Sequence, residues 1–81
     1  MKYNEFEELS EEEKVAVLYA DALYIGKRKV NGRPAILYQL DTFYVEVLYL
    51  KYRKYIARFI ATDDLTILDP YLEQIKIESF V

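Results

Sequence analysis

Apolar and β-branched residues are concentrated in the middle of the chain, from Ile36 to Thr62. Val, Ile, Tyr, Phe and Thr fit a pleated, half-buried surface. Between Thr42 and Tyr52 only Glu46 and Lys51 are charged. The stretch therefore predicts three consecutive antiparallel strands, which the rest of the chain covers.

Two different faces are predicted for the strand across Thr42–Tyr52, because neighbouring side chains on a strand point in opposite directions. The inner face carries the cleaner apolar set, Phe43, Val45, Val47 and Tyr49. The outer face carries Tyr44, Glu46, Leu48, Leu50 and Tyr52. A solvent-facing antiparallel sheet normally alternates apolar with polar residues. We therefore assign the inner face to the core and expect another part of the chain to cover some of the outer face.

The links between these strands are less regular. Asp41-Thr42 joins a strand over Ile36–Leu40 to the next one, although a continuous ribbon with a bulge near Asp41 is the alternative. Arg53-Lys54 is a plausible tight reversal before a strand over Tyr55–Ala61. Neither residue favours a two-residue primed turn, so a longer loop fits the sequence equally well. The sequence therefore does not define the register between the two strands of this hairpin.

The N-terminal part of the chain predicts helix. Tyr3–Leu9 suits a short helix, and Ser10 with Glu13 has the spacing of a capping box. The following helix should run to Asp21 or Ala22. Its predicted buried face, at the spacing i, i+3, i+4, i+7, consists of Val15, Leu18, Tyr19 and Ala22.

A first strand is predicted over residues 22–30, followed by a turn at Asn31-Gly32, the strongest short hairpin signal. After the sheet, Thr62-Asp63-Asp64 provides capping residues for a helical pattern. That pattern consists of Leu65, Leu68, Leu72 and Ile75. Because Pro is favoured at the first helical position after a cap, Asp69-Pro70 predicts a break near residue 69 and a short helix over 70–75.

The predicted architecture is one α+β domain over residues 1–81. It has an N-terminal helix, a four-stranded antiparallel meander sheet and a short C-terminal helix. Helices packed on one face of an antiparallel sheet are a common layer arrangement for this class.

Composition argues against most catalytic chemistry. The chain has no Cys and no His, and its two Gly do not form a phosphate-binding loop. The acidic run at the N-terminus lacks a calcium-binding loop, so we expect no metal and no cofactor. Apolar runs are too short to span a membrane, and the acidic N-terminus is unlike a signal peptide. We expect a cytoplasmic protein that is not an enzyme.

Glu46 is the most unusual single residue, because it lies in an apolar strand. One interpretation is a carboxylate with a raised pKa and a function. The simpler interpretation is that Glu46 faces solvent or pairs with Arg58 on the neighbouring strand. Asp41 and Glu46 are five residues apart and would lie on opposite faces if one strand ran through both, so they are not expected to converge as a catalytic pair.

Charge is segregated along the chain. Residues 1–21 have a net charge of −5, residues 22–62 of +6 and residues 63–81 of −4. In a meander the first and third turns lie at one end of the sheet, which predicts a basic edge from Lys27 to Arg33 and from Lys51 to Lys54. This edge consists of Lys27, Lys29, Arg33, Lys51, Arg53 and Lys54. With Tyr52 and Tyr55 beside it, the edge is compatible with nucleic-acid or anion binding, although the chain as a whole is acidic.

The outer face gives the leading functional hypothesis. Tyr is enriched in the cores of protein interfaces, and symmetric dimers are the commonest assemblies. The predicted interface consists of Tyr44, Leu48, Leu50 and Tyr52. The protein is therefore predicted to be a small interaction or accessory domain, most simply a homodimer through the sheet, with the nucleic-acid or anion-binding module as the alternative.

Three motifs support a resemblance. The chain has S-x-x-E-K at Ser10–Lys14, the run L-Y-Q-L-D-T-F-Y-V-E-V at Leu37–Val47, and D-P-Y-L-E-Q-I at Asp69–Ile75. In these it resembles small uncharacterised bacterial proteins with a leading helix, a strand pair and a Tyr-Leu-Glu helix near the end. The resemblance covers most of the chain but rests on packing motifs, so it implies a fold and no activity.

Overall fold

A computed structural model describes residues 1–51 and 55–72 of the protein. Two helices come first, α1 (Tyr3–Glu7) and α2 (Glu11–Asp21). Four strands and a 3₁₀ helix follow in chain order: β1 (Leu23–Val30), β2 (Arg33–Leu40), β3 (Phe43–Lys51), β4 (Tyr55–Thr62) and the 3₁₀ helix (Leu65–Tyr71). The strands form one antiparallel sheet in the order β1-β2-β3-β4. The predicted α+β meander between helices is confirmed.

Turns with positive φ explain the order of the strands. Asn31 and Gly32 have φ values of 52° and 79°, as a primed hairpin turn requires. Asp41 has a φ of 54° and begins a second reversal between β2 and β3. The alternative of a continuous ribbon with a bulge near Asp41 is therefore wrong. Arg53-Lys54 lies outside the described residues.

The core forms on the inner face of the sheet. Phe43, Val45 and Val47 are almost completely buried there, as predicted, and Tyr49 packs against them half-buried. Phe6 of α1 is fully buried, and its ring centroid lies 6.1 Å from those of Phe43 and Phe59. The short helix α1 is thus held by one aromatic side chain.

The capping box of α2 is present as predicted. The Ser10 hydroxyl accepts the Glu13 backbone N–H at 3.2 Å, and the Glu13 carboxylate accepts the Ser10 backbone N–H at 2.9 Å. These hydrogen bonds lower the pKa of Glu13. They fix the N-terminus of a helix whose contacts with the sheet are sparse.

The predicted buried face of α2 is only partly correct. Leu18 is buried, but Val15 is 41% exposed and Tyr19 is 93% exposed. The side in contact with the core contains Val17, Leu18 and the predicted Ala22. The helix is therefore rotated relative to the prediction, and the Lys14 ammonium lies 5.2 Å from the ring centroid of Phe59, within cation–π range.

The C-terminal element also differs from the prediction. A single 3₁₀ helix continues from Leu65 to Tyr71 through Pro70, with no break at residue 69. Asp64 caps it by accepting the Thr66 backbone N–H at 3.0 Å, so the predicted capping cluster is confirmed. Its buried residue is Tyr71, whereas Leu65 is 65% exposed. Ile75 and the rest of the helix predicted over 70–75 lie outside the described residues.

Removal of the α2 cap should have a measurable cost. We expect Ser10→Ala to lower the free energy of unfolding by about 1 kcal/mol, because it removes the acceptor for the Glu13 N–H. Urea unfolding followed by circular dichroism measures this. Glu7→Gln, on the exposed surface of α1 and outside the capping box of α2, is the control and should change the free energy by less than about 0.5 kcal/mol. Equal effects in the two variants would contradict the role of the cap.

Candidate functional site

The outer face of the sheet contains a buried polar cluster around Glu46, whose side chain is only 3% exposed. Arg28 donates to both of its oxygens, from Nε to Oε2 at 2.9 Å and from Nη2 to Oε1 at 3.3 Å. The Tyr71 hydroxyl donates to Oε2 as well. A carboxylate buried in this way is stable only if its oxygens are paired, and here both are.

Strand register brings Arg28 to Glu46 across the intervening strand. Arg28 of β1 lies opposite Ala35 of β2, and Glu46 of β3 lies opposite Leu37, two residues along β2. A spacing of two keeps all four residues on the outer face. Because Ala35 has only a methyl side chain, the guanidinium can pass over β2 to the carboxylate.

The predictions that Glu46 faces solvent or pairs with Arg58 are both wrong. Arg58 lies on the outer face opposite Leu48 but remains exposed. The carboxylate oxygens are already bound by Arg28 and by Tyr71, which reaches them from the 3₁₀ helix. The charged residue in an apolar strand was a real signal in the sequence, but nothing in the pattern identified its partners.

Burial and the neighbouring carboxylate determine the protonation of this cluster. Burial, and then the hydrogen bond to Glu46, raise the pKa of Tyr71 well above its ordinary value. The hydrogen bond to Glu46 raises the pKa of Arg28. The guanidinium carbon also lies 5.6 Å from the centre of the Tyr71 ring, within cation–π range. Tyr71 therefore stays neutral and Arg28 charged across the ordinary pH range.

This cluster holds the 3₁₀ helix on the sheet, because Tyr71 donates to Glu46. Neither described cavity is lined by Glu46, Arg28 or Tyr71. Another part of the chain was expected to cover some of the outer face, and the 3₁₀ helix does so through Tyr71. Among residues 1–51 and 55–72, no group of three or more acidic side chains is placed to hold a metal ion.

A second feature is an open apolar cleft on the inner face, between α2 and the sheet, with a volume of about 660 Å³. All of its lining residues are apolar or tyrosine: Val15, Leu18, Tyr19, Ala22, Tyr24, Tyr38, Val47, Tyr49, Ile56 and Phe59. Tyr24, 57% exposed, stacks edge-on against Tyr38 with ring centroids 6.4 Å apart. We call this feature the inner cleft.

The inner cleft exists because the helices cover only part of the inner face. The helix α1 contacts β4 and α2 contacts β2. Val15 and Tyr19, which the sequence pattern assigned to the core, instead form the helical wall of the cleft. Their apolar character was correctly recognised in the sequence, but the rotation of α2 was not.

The outer-face residues predicted to form an interface are divided by the structure. Tyr44 and Leu48 are half-buried, and Leu50 is 53% exposed. Tyr52 lies outside the described residues. The 3₁₀ helix occupies part of the same face, so the exposed apolar surface there is smaller than the strand pattern suggested. An outer-face dimer stays a prediction.

The predicted basic edge is spread over both faces. Lys29 is paired with Pro34, and Arg33 belongs to the next pair along the two strands, opposite Val30. Consecutive register positions point to opposite faces, so Lys29 and Arg33 do not share one surface. Lys27 and Lys51 are exposed, while Arg53 and Lys54 lie outside the described residues.

A smaller cavity of about 370 Å³ lies at the same end of the sheet. It places Arg33 and Arg58 on one face, beside Asn31 and Leu48. Arg58 was not part of the predicted basic edge. Two exposed arginines, Arg33 and Arg58, make this cavity basic, but no buried polar side chain among the described residues lines it.

Comparisons of the chain with protein-family models, with curated proteins and with solved structures gave no match. They add no family to the resemblance noted in the sequence. Within residues 1–51 and 55–72, no helix is both long and apolar enough to cross a membrane. The cytoplasmic location stays a prediction, and the functional argument depends on the geometry of the inner cleft and its surroundings.

Loss of the Tyr71 hydroxyl should destabilise the fold. We expect Tyr71→Phe to lower the free energy of unfolding by about 1–3 kcal/mol, because Glu46 loses a buried donor. Urea unfolding measures the change. Tyr24→Phe, which removes a hydroxyl from a 57% exposed side chain, is the matched control. If both variants unfold at the same urea concentration as the wild type, Tyr71 does not hold the 3₁₀ helix.

Alkaline pH should weaken the same contact. The pKa of Tyr71 is raised in the folded protein, so above about pH 10 the unfolded chain releases its phenolic proton more readily than the folded chain. The contribution of Tyr71 is therefore complete below about pH 10 and decreases as the pH rises beyond it. The free energy of unfolding should fall less steeply for Tyr71→Phe than for the wild type between about pH 10 and pH 12. Parallel curves would contradict the raised pKa.

Proposed function

We propose that this protein is a small interaction domain without catalytic activity, which binds a polypeptide in the inner cleft. The observation that supports this proposal is the exposed apolar lining of the cleft. Exposed and contiguous apolar surface on a small domain is typical of a protein-binding site. The four tyrosines of the cleft provide rigid contact area with a polar tip, which is why tyrosine is common in such sites.

The shape of the inner cleft favours a polypeptide over a small molecule. Small-molecule pockets typically enclose most of the ligand surface. Here Tyr19 stands 93% exposed at the rim, Tyr24 is 57% exposed and Val15 is 41% exposed. A small molecule inside the cleft would leave these rim side chains in water. The extended surface of a polypeptide would cover them.

The two surfaces predicted from the sequence are weaker candidates. On the outer face Tyr44 and Leu48 are already half-buried, and the exposed Leu50 lies where the register between β3 and β4 shifts. The basic edge has Lys29 and Arg33 on opposite faces, whereas a nucleic-acid strand needs basic groups along one groove. The inner cleft therefore has the better support.

Site-specific photo-crosslinking tests this function. A photoreactive phenylalanine analogue at position 19, introduced in cells that naturally produce the protein, should give a covalent adduct with another polypeptide chain. The same analogue at position 58, on the outer face opposite Leu48, is the matched control, because Arg58 is also exposed. The mass of the adduct gives the partner, which includes a second copy. Adducts from position 58 alone would move the binding surface to the outer face, and the absence of any adduct from position 19 would remove the proposal.

A further inference from the structure

The two ends of the inner cleft have opposite charge. The helix α2 starts beside β4, where Lys14 lies over Phe59, and ends where the chain enters β1 at Leu23. Because β1 and β4 are the two edges of the sheet, α2 crosses from one edge to the other. The first turn of α2 is acidic, with Glu11, Glu12 and Glu13.

The acidic end lies on the cleft side of α2. Glu11 and Glu12 are four and three residues before Val15, and residues at these spacings are neighbours on a helix surface. Val15 and Tyr19 line the cleft, so Glu11 and Glu12 extend the same side of the helix towards the β4 edge. Both carboxylates are exposed.

The basic end lies at the opposite edge. Lys27 of β1 is in one cross-strand row with Ile36, Val47 and Phe59, and the last two line the cleft. Lys29 is two residues further along β1 and therefore on the same face. Both lysines are exposed. The inner cleft thus runs from an acidic helix start to a basic strand edge.

We propose that the occupant of the inner cleft is a second copy of this chain, related by a twofold axis that crosses the cleft between its acidic and basic ends. This inference rests on the proposed function and identifies its partner. Twofold interfaces bring the same surface of both copies together, so each surface must complement itself. A twofold axis in this position places Glu11 and Glu12 of each copy against Lys27 and Lys29 of the other.

The remaining features of the cleft fit this arrangement. Tyr19, 93% exposed at the rim, lies on the helical wall between the two charged ends and would enter the cleft of the other copy. Stable interfaces bury roughly 800 Å² on each partner. The domain measures 38 × 29 × 21 Å, so its broad inner side is large enough for a contact of that size. A homodimer was also predicted from the sequence, but through the outer face.

The decisive experiment exchanges charges between two variants of the full chain. Glu12→Lys should place two like charges against each other at both symmetry-related contacts, and so should Lys29→Glu. We expect each variant alone to dissociate at least about tenfold more readily than the wild type. When the two are mixed, the two introduced side chains face each other at one contact, and the native Lys29 and Glu12 face each other at the second. Both contacts then join opposite charges and are attractive.

Light scattering and native mass spectrometry at low salt measure these states, and circular dichroism verifies that each variant is folded. The expected result is a dimeric wild type, monomeric single variants and a heterodimer in the mixture. The heterodimer should weaken at about 1 M salt, because exposed charges are then screened. Tyr19→Lys should be monomeric, and Leu48→Lys, on the outer face opposite Arg58, should remain dimeric.

Other outcomes would overturn the inference. A monomeric wild type would exclude a second copy as the occupant and leave a different protein or residues 73–81 of the chain itself. An adduct from position 19 with another protein would then leave the proposed function intact. A dimer that Leu48→Lys disrupts and Tyr19→Lys does not would assign self-association to the outer face. If the wild type is dimeric but the mixed variants form no heterodimer, the acidic end of one copy does not contact the basic end of the other.

Discussion

The fold depends on satisfying one buried carboxylate. Glu46 lies in the third strand with 3% of its side chain exposed, and it would be costly there without donors. Arg28 supplies them from the first strand and Tyr71 from the 3₁₀ helix. The same contacts therefore fix the position of an edge strand and attach the last described element to the sheet. A hydrophobic residue would contribute burial at this position, but it would not select these two partners.

Local rules account for the elements that could be predicted from the sequence. The capping box at Ser10, the positive φ values at Asn31-Gly32 and the alternation along β3 each depend on residues close together in the chain. The layers of the fold follow from them, because a meander of this length leaves few arrangements. The rotation of α2 could not be predicted in the same way, since the pattern of apolar residues gave no weight to Lys14, whose ammonium lies over the rings of Phe6 and Phe59.

The candidate sites were harder to predict than the fold because they depend on contacts across strands. Arg28 meets Glu46 only because Ala35 lies between them with a small side chain, and Tyr71 joins them from 25 residues away. No spacing in the sequence contains this information. The inner cleft was missed for a related reason. Val15 and Tyr19 have the pattern of core residues, and only the position of α2 on the sheet shows that they remain exposed.

Both faces of the sheet are apolar, and the chain has little helix to cover them. In the described residues α1, α2 and the 3₁₀ helix contain 5, 11 and 7 residues. The 3₁₀ helix is committed to the outer face by Tyr71, and α1 and α2 leave part of the inner face open. A small domain buries a smaller fraction of its surface than a large one, so uncovered apolar area is a direct cost in water. In the proposed dimer, association through that area would remove the cost, and the opposite charges at the two ends of the cleft would give the second copy a defined orientation.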